Sequence, residues 1–270
     1  MSQPRQDVGR VEVRHVALSQ AYAWAGLLRK GLAASDVPLA GLARIDSFDR
    51  EFFELSIEHW ALGIRVRLLI RMSRLDEAQA TLEQMLILDK GLEDPVIGQI
   101  EHHLQVELAT GLEQADKAWH YAEKVSQIAT QYASPYSRVF AFWSSGKAQI
   151  AGRDFQTALQ NYVSALEVIT LTRVVVKFET EIRIGLAECH FRLGDYEKAV
   201  QAAEQALARS RQRNNRLAEC MALLVCGLAL KRDDATSASR AADCFGQAQQ
   251  LIIQTGAAIF KSELESARAA

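Results

Sequence analysis

Apolar positions along this chain keep a helical beat almost throughout. In the stretch RLGDYEKAVQAAEQAL, Arg192 to Leu207, the residues Ala199, Ala203 and Ala206 fall at i, i+4 and i+7, one face of a helix with 3.6 residues per turn. An alanine in the same surroundings recurs at Ala78, Ala118, Ala158, Ala199 and Ala241, at spacings of 40, 40, 41 and 42 residues. Four residues after these anchors stand Leu82, Ala122, Tyr162, Ala203 and Phe245, and seven after stand Met85, Val125, Ala165, Ala206 and Ala248. Each anchor therefore opens an amphipathic helix with its apolar stripe in the same place, and a period near 40 residues marks a repeat architecture. Strict alternation is confined to the short VVV run at 174–176, so the pattern predicts an all-α fold.

A second helix precedes each anchor. Twelve or thirteen residues upstream lie Ser145 and Gly146, Leu186 and Ala187, and Leu228 and Ala229. Small residues there let two antiparallel backbones approach closely, so each unit reads as a helical hairpin. In the turn Leu193-Gly194-Asp195-Tyr196, glycine suits a left-handed helix stop and aspartate a cap for the next helix. Ala151-Gly152-Arg153-Asp154-Phe155 repeats this turn one unit earlier, and Ser73 to Ala78 is a looser version. With Pro38, Pro95 and Pro135 taken as breaks, helices are predicted at 12–31, 37–46, 50–73, 75–90, 95–110, 112–132, 135–151, 154–171, 174–192, 195–212, 215–231, 236–254 and 257–269. The expected organisation is an N-terminal helical cap or degenerate repeat over 1–49, five hairpins over 50–256, and a capping helix over 257–270 with Ile259, Phe260 and Leu264 turned inward.

The residues Leu186, Ala187, Gly194, Asp195, Tyr196, Ala199, Ala203, Ala206 and Leu207 resemble a tetratricopeptide repeat, and DFQTALQNYVSAL at 154–166 matches about as well. The resemblance runs from about residue 50 to the end, strongly in two units and weakly in three. It implies a right-handed α-solenoid of antiparallel hairpins that serves as a binding scaffold. Two features depart from the family: its usual unit is about 34 residues, and the closing proline is missing after Leu207, where SRQRNN runs on. The longer unit is similar to repeats in the sensor arms of bacterial signal-transduction ATPases and in regions attached to nucleotide cyclases. The closing TGAAIFKSELESARA resembles the last repeat of such arms. HEAT and armadillo repeats compete on period, but the LGDYEKA turn argues against them.

Composition narrows the partners. Hydrophobic residues make up 49% of 270, enough to fill a core, and 31 basic residues balance 33 acidic ones, which leaves no basic field for nucleic acid. The most apolar run, CMALLVCGLAL from Cys220, is too short to span a bilayer. The N-terminal MSQPRQDVGRVEVRH has no apolar signal core, so the expectation is a cytoplasmic protein without membrane insertion. Cys189, Cys220, Cys226 and Cys244 form no CxxC pair and read as buried free thiols. There is no GxxxxGK[ST] loop, no GxGxxG, no HExxH and no GxSxG, so neither a cofactor, a metal nor a catalytic constellation is expected.

In a solenoid of the kind the resemblance implies, the first helix of each hairpin faces the concave side. Carrying the period back places Trp60, Arg67 and Arg71 there from one unit, His103 and Glu107 from the next, then Phe140, Trp143 and Lys147, then Glu181, Ile184, Glu188, Phe191 and Arg192. Aromatic and arginine side chains favour binding hot spots, although Trp60, Phe140 and Trp143 also suit packing between hairpins. Basic residues at the N-terminal end and acidic ones nearer the middle favour an extended peptide with a carboxylate or acidic residues over the first unit. The expected function is non-enzymatic binding of a protein or peptide segment in this groove. The alternative is a regulatory sensor arm that binds a small effector or partner and controls an attached or associated signalling ATPase, cyclase or transcription activator. Self-association stays open, because a solenoid ends in an apolar face unless capped.

Overall fold

The computed structural model describes residues 6–41, 57–88, 94–233 and 237–269, and among them are thirteen α-helices and no strand. Helix α1 (Gln6–Trp24) pairs with α2 (Leu28–Gly41), α3 (Ile57–Arg71) with α4 (Leu75–Leu88), and α5 (Pro95–Gly111) with α6 (Ala115–Tyr132). Then α7 (Pro135–Ala151) pairs with α8 (Phe155–Thr172), α9 (Glu179–Arg192) with α10 (Tyr196–Gln212), and α11 (Arg216–Asp233) with α12 (Ala238–Thr255). The short α13 (Lys261–Ala269) lies against α12 and α11.

The alanine period maps directly onto this order. Each anchor is the fourth residue of α4, α6, α8, α10 or α12, and all five, with every residue four and seven positions on, are buried. The stripe faces the first helix of the hairpin, and glycine makes the closest approaches. A Cβ on Gly146 would lie 2.9 Å from the Tyr162 ring, one on Gly185 of the next hairpin 2.5 Å from the same ring, and one on Gly227 2.6 Å from Phe245. The aromatic residues four positions after the anchors thus require bare backbone opposite them. Gly185→Ala is expected to destabilise the protein by about 1–3 kcal/mol through overpacking, read as a lower urea midpoint at unchanged slope.

The hairpin turns share one backbone state. Ser73, Glu113, Arg153 and Gly194, each two residues before its outer helix, all have positive φ, at 58°, 59°, 62° and 84°. The sequence places glycine correctly in the last of these, but in the unit before it Gly152 has φ −81° and Arg153 takes the left-handed position. Asp154 caps α8 by accepting from the Thr157 N–H at 3.2 Å, whereas Asp195 makes no such bond and stands 3.6 Å from His190 and 3.5 Å from Lys198.

Three predicted elements differ. The single helix expected at 12–31 is broken between Trp24 and Leu28, with Gly26 at φ 73°. A Cβ there would meet Arg216 and Thr255 at 2.9 Å, so the turn needs glycine both for its backbone angle and for the close approach of α11 and α12. Pro38 lies inside α2, where only three residues follow it, so it loses a hydrogen bond in a last turn that is ending anyway. The helix expected from 174 starts at Glu179, after left-handed Arg173 and Val175 and a 3₁₀ turn at Val176–Phe178. The predicted 42–46 and 50–56 portions lie outside the described residues.

The Gly26 contact belongs to a larger closure. Val16, Leu28, Ala61, Ile64 and Leu68 share one buried cluster with Ile184, Leu223, Ile252, Ala257 and Leu264, so the first hairpins and the last ones build a common core. The inner surfaces of α3, α5, α7 and α9 are thereby drawn together.

Candidate functional site: the inner charge cluster

Helical spacing puts Arg67 and Arg71 one turn apart on α3, and His103 and Glu107 one turn apart on α5. The Arg67 Nε donates to Glu107 Oε2 at 3.0 Å, Arg71 Nη2 to Oε1 at 3.3 Å, and the Lys147 ammonium of α7 lies 3.3 Å from the same Oε1. Glu181, at the start of α9, accepts from Arg67 Nη2 at 3.2 Å and Arg71 Nη2 at 3.1 Å. Three cations therefore surround two carboxylates. Glu107 is only 3% exposed, while Arg67 retains 24% and Lys147 and Glu181 17% each.

Aromatic rings floor the cluster. Trp143 lies with ring centroids 4.3 Å from His103, 5.0 Å from Phe178 and 5.7 Å from Phe140, and the Tyr136 ring lies tilted against Phe140 at 4.8 Å. The Arg67 guanidinium sits 5.0 Å from the Phe178 ring and 5.7 Å from Trp143, and Lys147 5.6 Å from Trp143, within cation–π range. Lys177, on the turn before α9, lies 5.0 Å over Phe178 and reaches the Trp24 ring of α1 at 5.7 Å.

The electrostatics follow from burial plus surplus positive charge. Burial alone raises the Glu107 carboxyl, but Arg67, Lys147 and Arg71 pull it well below the usual carboxylate range. Burial and then Arg67 lower the Lys177 ammonium. Burial pushes His103 down to about 3, with Arg67, Lys147 and Arg71 adding to it and Glu107 opposing. His103 is thus neutral, its Nδ1 lies 2.8 Å from Ser144 Oγ, and its buried Nε2 has no hydrogen-bond partner among the described residues.

A pH dependence follows. Because the His103 native pKa lies below the ordinary 6.5, the unfolded chain takes up the proton first as pH falls, so its contribution is complete above about 6.5 and is lost toward 3. Glu107 acts in the same direction at lower pH, its contribution fading as pH drops through its depressed pKa. Glu263 acts oppositely, since burial and Glu188 raise it to about 7 against Arg192. His103→Gln is expected to flatten the fall in urea stability between pH 6.5 and 4.5, with the difference from wild type removing the Glu263 contribution; parallel curves for the two proteins would contradict this.

The remaining sequence candidates stand elsewhere. Trp60 is half-buried and donates from Nε1 to Gln20 of α1 at 3.2 Å. Glu188 and Arg192 pair with each other at 3.5 Å beside Glu263 of α13, Ile184 is buried in the shared core, and Phe191 lies 5.9 Å from Tyr196. Sequence reasoning missed Tyr136, Lys177 and Phe178. The latter two enter the cluster only because the chain turns at 173–178, and the β-branched run Val174–Val176 was its one trace in the sequence.

Residues 181–213 match the tetratricopeptide repeat family. None of the curated proteins matches the sequence significantly. Among solved structures, the chain is similar to a Rap protein complexed with competence and sporulation factor, at 13% identity and a TM-score of 0.68, over 94% of this chain and 74% of that one. It is similar to BtubC from P. vanneervenii at 14% identity and 0.53, over 93% and 92%. It is also similar to a signal transduction ATPase with numerous domains (STAND) from Pyrococcus horikoshii that carries a tetratricopeptide repeat sensor, at 14% identity and 0.54, over 93% of this chain and 42% of that one. The class so defined is an α-solenoid of tetratricopeptide-like hairpins, a fold that typically serves protein interaction. Within it, the family match falls on the hairpin of α9 and α10. Among the described residues no helix is long and apolar enough to cross a membrane.

Proposed function

We propose that the protein is a non-enzymatic scaffold that binds an acidic protein or peptide segment on its inner face. Arg67, Arg71, His103, Glu107, Phe140, Trp143, Lys147 and Glu181 form the receiving surface, with Trp60, Glu188 and Arg192 at its margins. The observation that carries this reading is the charge count: three cations meet two carboxylates, and the cations keep solvent access. A ligand carboxylate supplies the missing anion, and the aromatic floor offers apolar contact beside it.

The test is tryptophan fluorescence during titration with matched pools of acidic and basic peptides. The acidic pool is expected to perturb the signal, and Lys147→Gln, at unchanged helicity, to weaken binding about tenfold or more, as for loss of a charge-assisted hydrogen bond. An equal response to basic peptides, or one that persists unaltered in Trp143→Phe, would remove the inner face from consideration.

The sensor-arm reading draws support from one feature. Arg67 and Arg71 bind Glu181 more than a hundred residues away, so a ligand that draws them off Glu181 changes how α3 sits on α9. A change in radius of gyration on binding, by small-angle scattering, favours that reading over a static scaffold.

A further inference from the structure

Glu179 opens α9, and three arginines from two helices converge on its carboxylate. Arg183, one turn further along α9, meets Oε1 with Nε at 2.9 Å and Nη2 at 2.8 Å. From the end of α10, Arg209 Nη1 lies 3.1 Å from Oε1 and 3.2 Å from Oε2, and Nη2 of the C-cap residue Arg213 lies 3.5 Å from Oε2. Arg213 also donates from Nη1 to the Val176 carbonyl at 2.8 Å, which ties α10 to the turn before α9. These residues are separate from the inner cluster, whose carboxylates are Glu107 and Glu181.

The charges here do not balance. Three cations meet one carboxylate, a surplus of two. The N-terminus of α9 and the C-terminus of α10 meet at this point with about half a charge each and of opposite sign, so the helix dipoles leave the surplus unchanged. The turn that Arg213 grips adds Arg173 and Lys177 and no acidic residue. Each guanidinium has five N–H donors, and the contacts to Glu179 and Val176 engage at most two nitrogens of each. The Glu179 side chain is 10% exposed, whereas those of Arg183, Arg209 and Arg213 keep 21%, 40% and 35%. The anion is enclosed while the cations stay within reach of a ligand.

We infer that Arg183, Arg209 and Arg213 dock a phosphorylated serine or threonine of a partner protein. The chemistry selects the phosphoryl group. Near neutral pH it carries about 1.5 to 2 negative charges and three acceptor oxygens, which match the surplus and suit the guanidinium forks. A ligand carboxylate brings one charge and leaves half the surplus unmet. The surplus is also local: Arg211, on the other side of α10, is taken up by Glu219 at 2.8 Å and Gln247 at 2.8 Å, and the whole chain has a net charge of −2. Nucleic acid and anionic bilayers draw on an extended basic field, whereas one phosphorylated side chain needs only this cluster. The inference is independent of what the inner face binds.

The test titrates the full chain into labelled peptide pools with neutral flanks and a fixed central phosphoserine, serine or aspartate, and reads fluorescence anisotropy. The phosphoserine pool is expected to bind about tenfold or more tightly than the other two, and inorganic phosphate to displace it only in large excess. Arg209→Gln is expected to weaken phosphoserine binding about tenfold or more, and Arg209→Lys, which keeps the charge but loses the fork, to lose part of that affinity. Arg211→Gln makes the same charge change two residues away and is expected to alter binding by less than about twofold. Helicity and urea midpoint verify that each variant is folded. Equal losses in Arg209→Gln and Arg211→Gln, equal binding of the serine pool, or displacement by inorganic phosphate at the peptide's own concentration would overturn the inference. So would tighter, Arg209-dependent binding of a DNA duplex or of phosphatidylserine vesicles.

Discussion

Glu107→Gln is expected to destabilise the protein by about 3–5 kcal/mol, the usual result of removing one partner from a buried charge network. Glu107 is the shared anion of Arg67, Arg71 and Lys147; without it the two arginines keep Glu181, and Lys147 loses its carboxylate partner. They are too enclosed for water to replace it fully. The loss should be nearly independent of added salt, because screening acts on exposed charges and weakly on buried ones. Urea unfolding at two ionic strengths measures it, and the double variant Glu107→Gln with Lys147→Met tests the cause. If the charge imbalance is responsible, the second substitution recovers part of the first loss. A single variant as stable as wild type would mean that the inner face is far wetter than its burial indicates.

Trp143→Ala is the second large effect, expected at about 3–5 kcal/mol. The indole is 1% exposed and touches elements that are not neighbours in sequence: His103 of α5, Phe178 of the turn before α9, and the Arg67 guanidinium of α3. Removing it empties the place where those elements meet. The consequence should also be local, because Phe178 loses its main ring contact and the turn at 173–178 already holds Val175 at φ 61°, an uncommon state for a β-branched residue. Faster limited proteolysis at 173–178 in Trp143→Ala, with Trp143→Phe showing little change, would locate the damage there. Uniform destabilisation with no new cleavage site would argue that Trp143 only fills volume.

The two variants illustrate which parts of the site the sequence carried. Arg67, Arg71, His103, Glu107, Phe140, Trp143, Lys147 and Glu181 were selected by carrying one period back from the alanine anchors, and they meet in space because equivalent positions on stacked hairpins share a side. Trp60 and the Glu188–Arg192 pair came from the same rule but stand apart, Trp60 against α1 and the pair beside α13. The rule assigns a side and a level, not the direction in which each side chain leaves its helix. Lys177 and Phe178 lay beyond it altogether, since a left-handed break after α8 shifts them out of the helical register.

The same division holds for the fold. Burial at i, i+4 and i+7 depends on residues within two turns of one another, so the anchors, the hairpins and the glycine at 194 could be read from the chain alone. The small rotation from one hairpin to the next leaves no mark in any single unit, yet its sum brings Gly26 against Arg216 and Thr255 and Arg67 against Glu181. Closure of the solenoid, and with it the burial of the inner charges, was decided by tertiary packing.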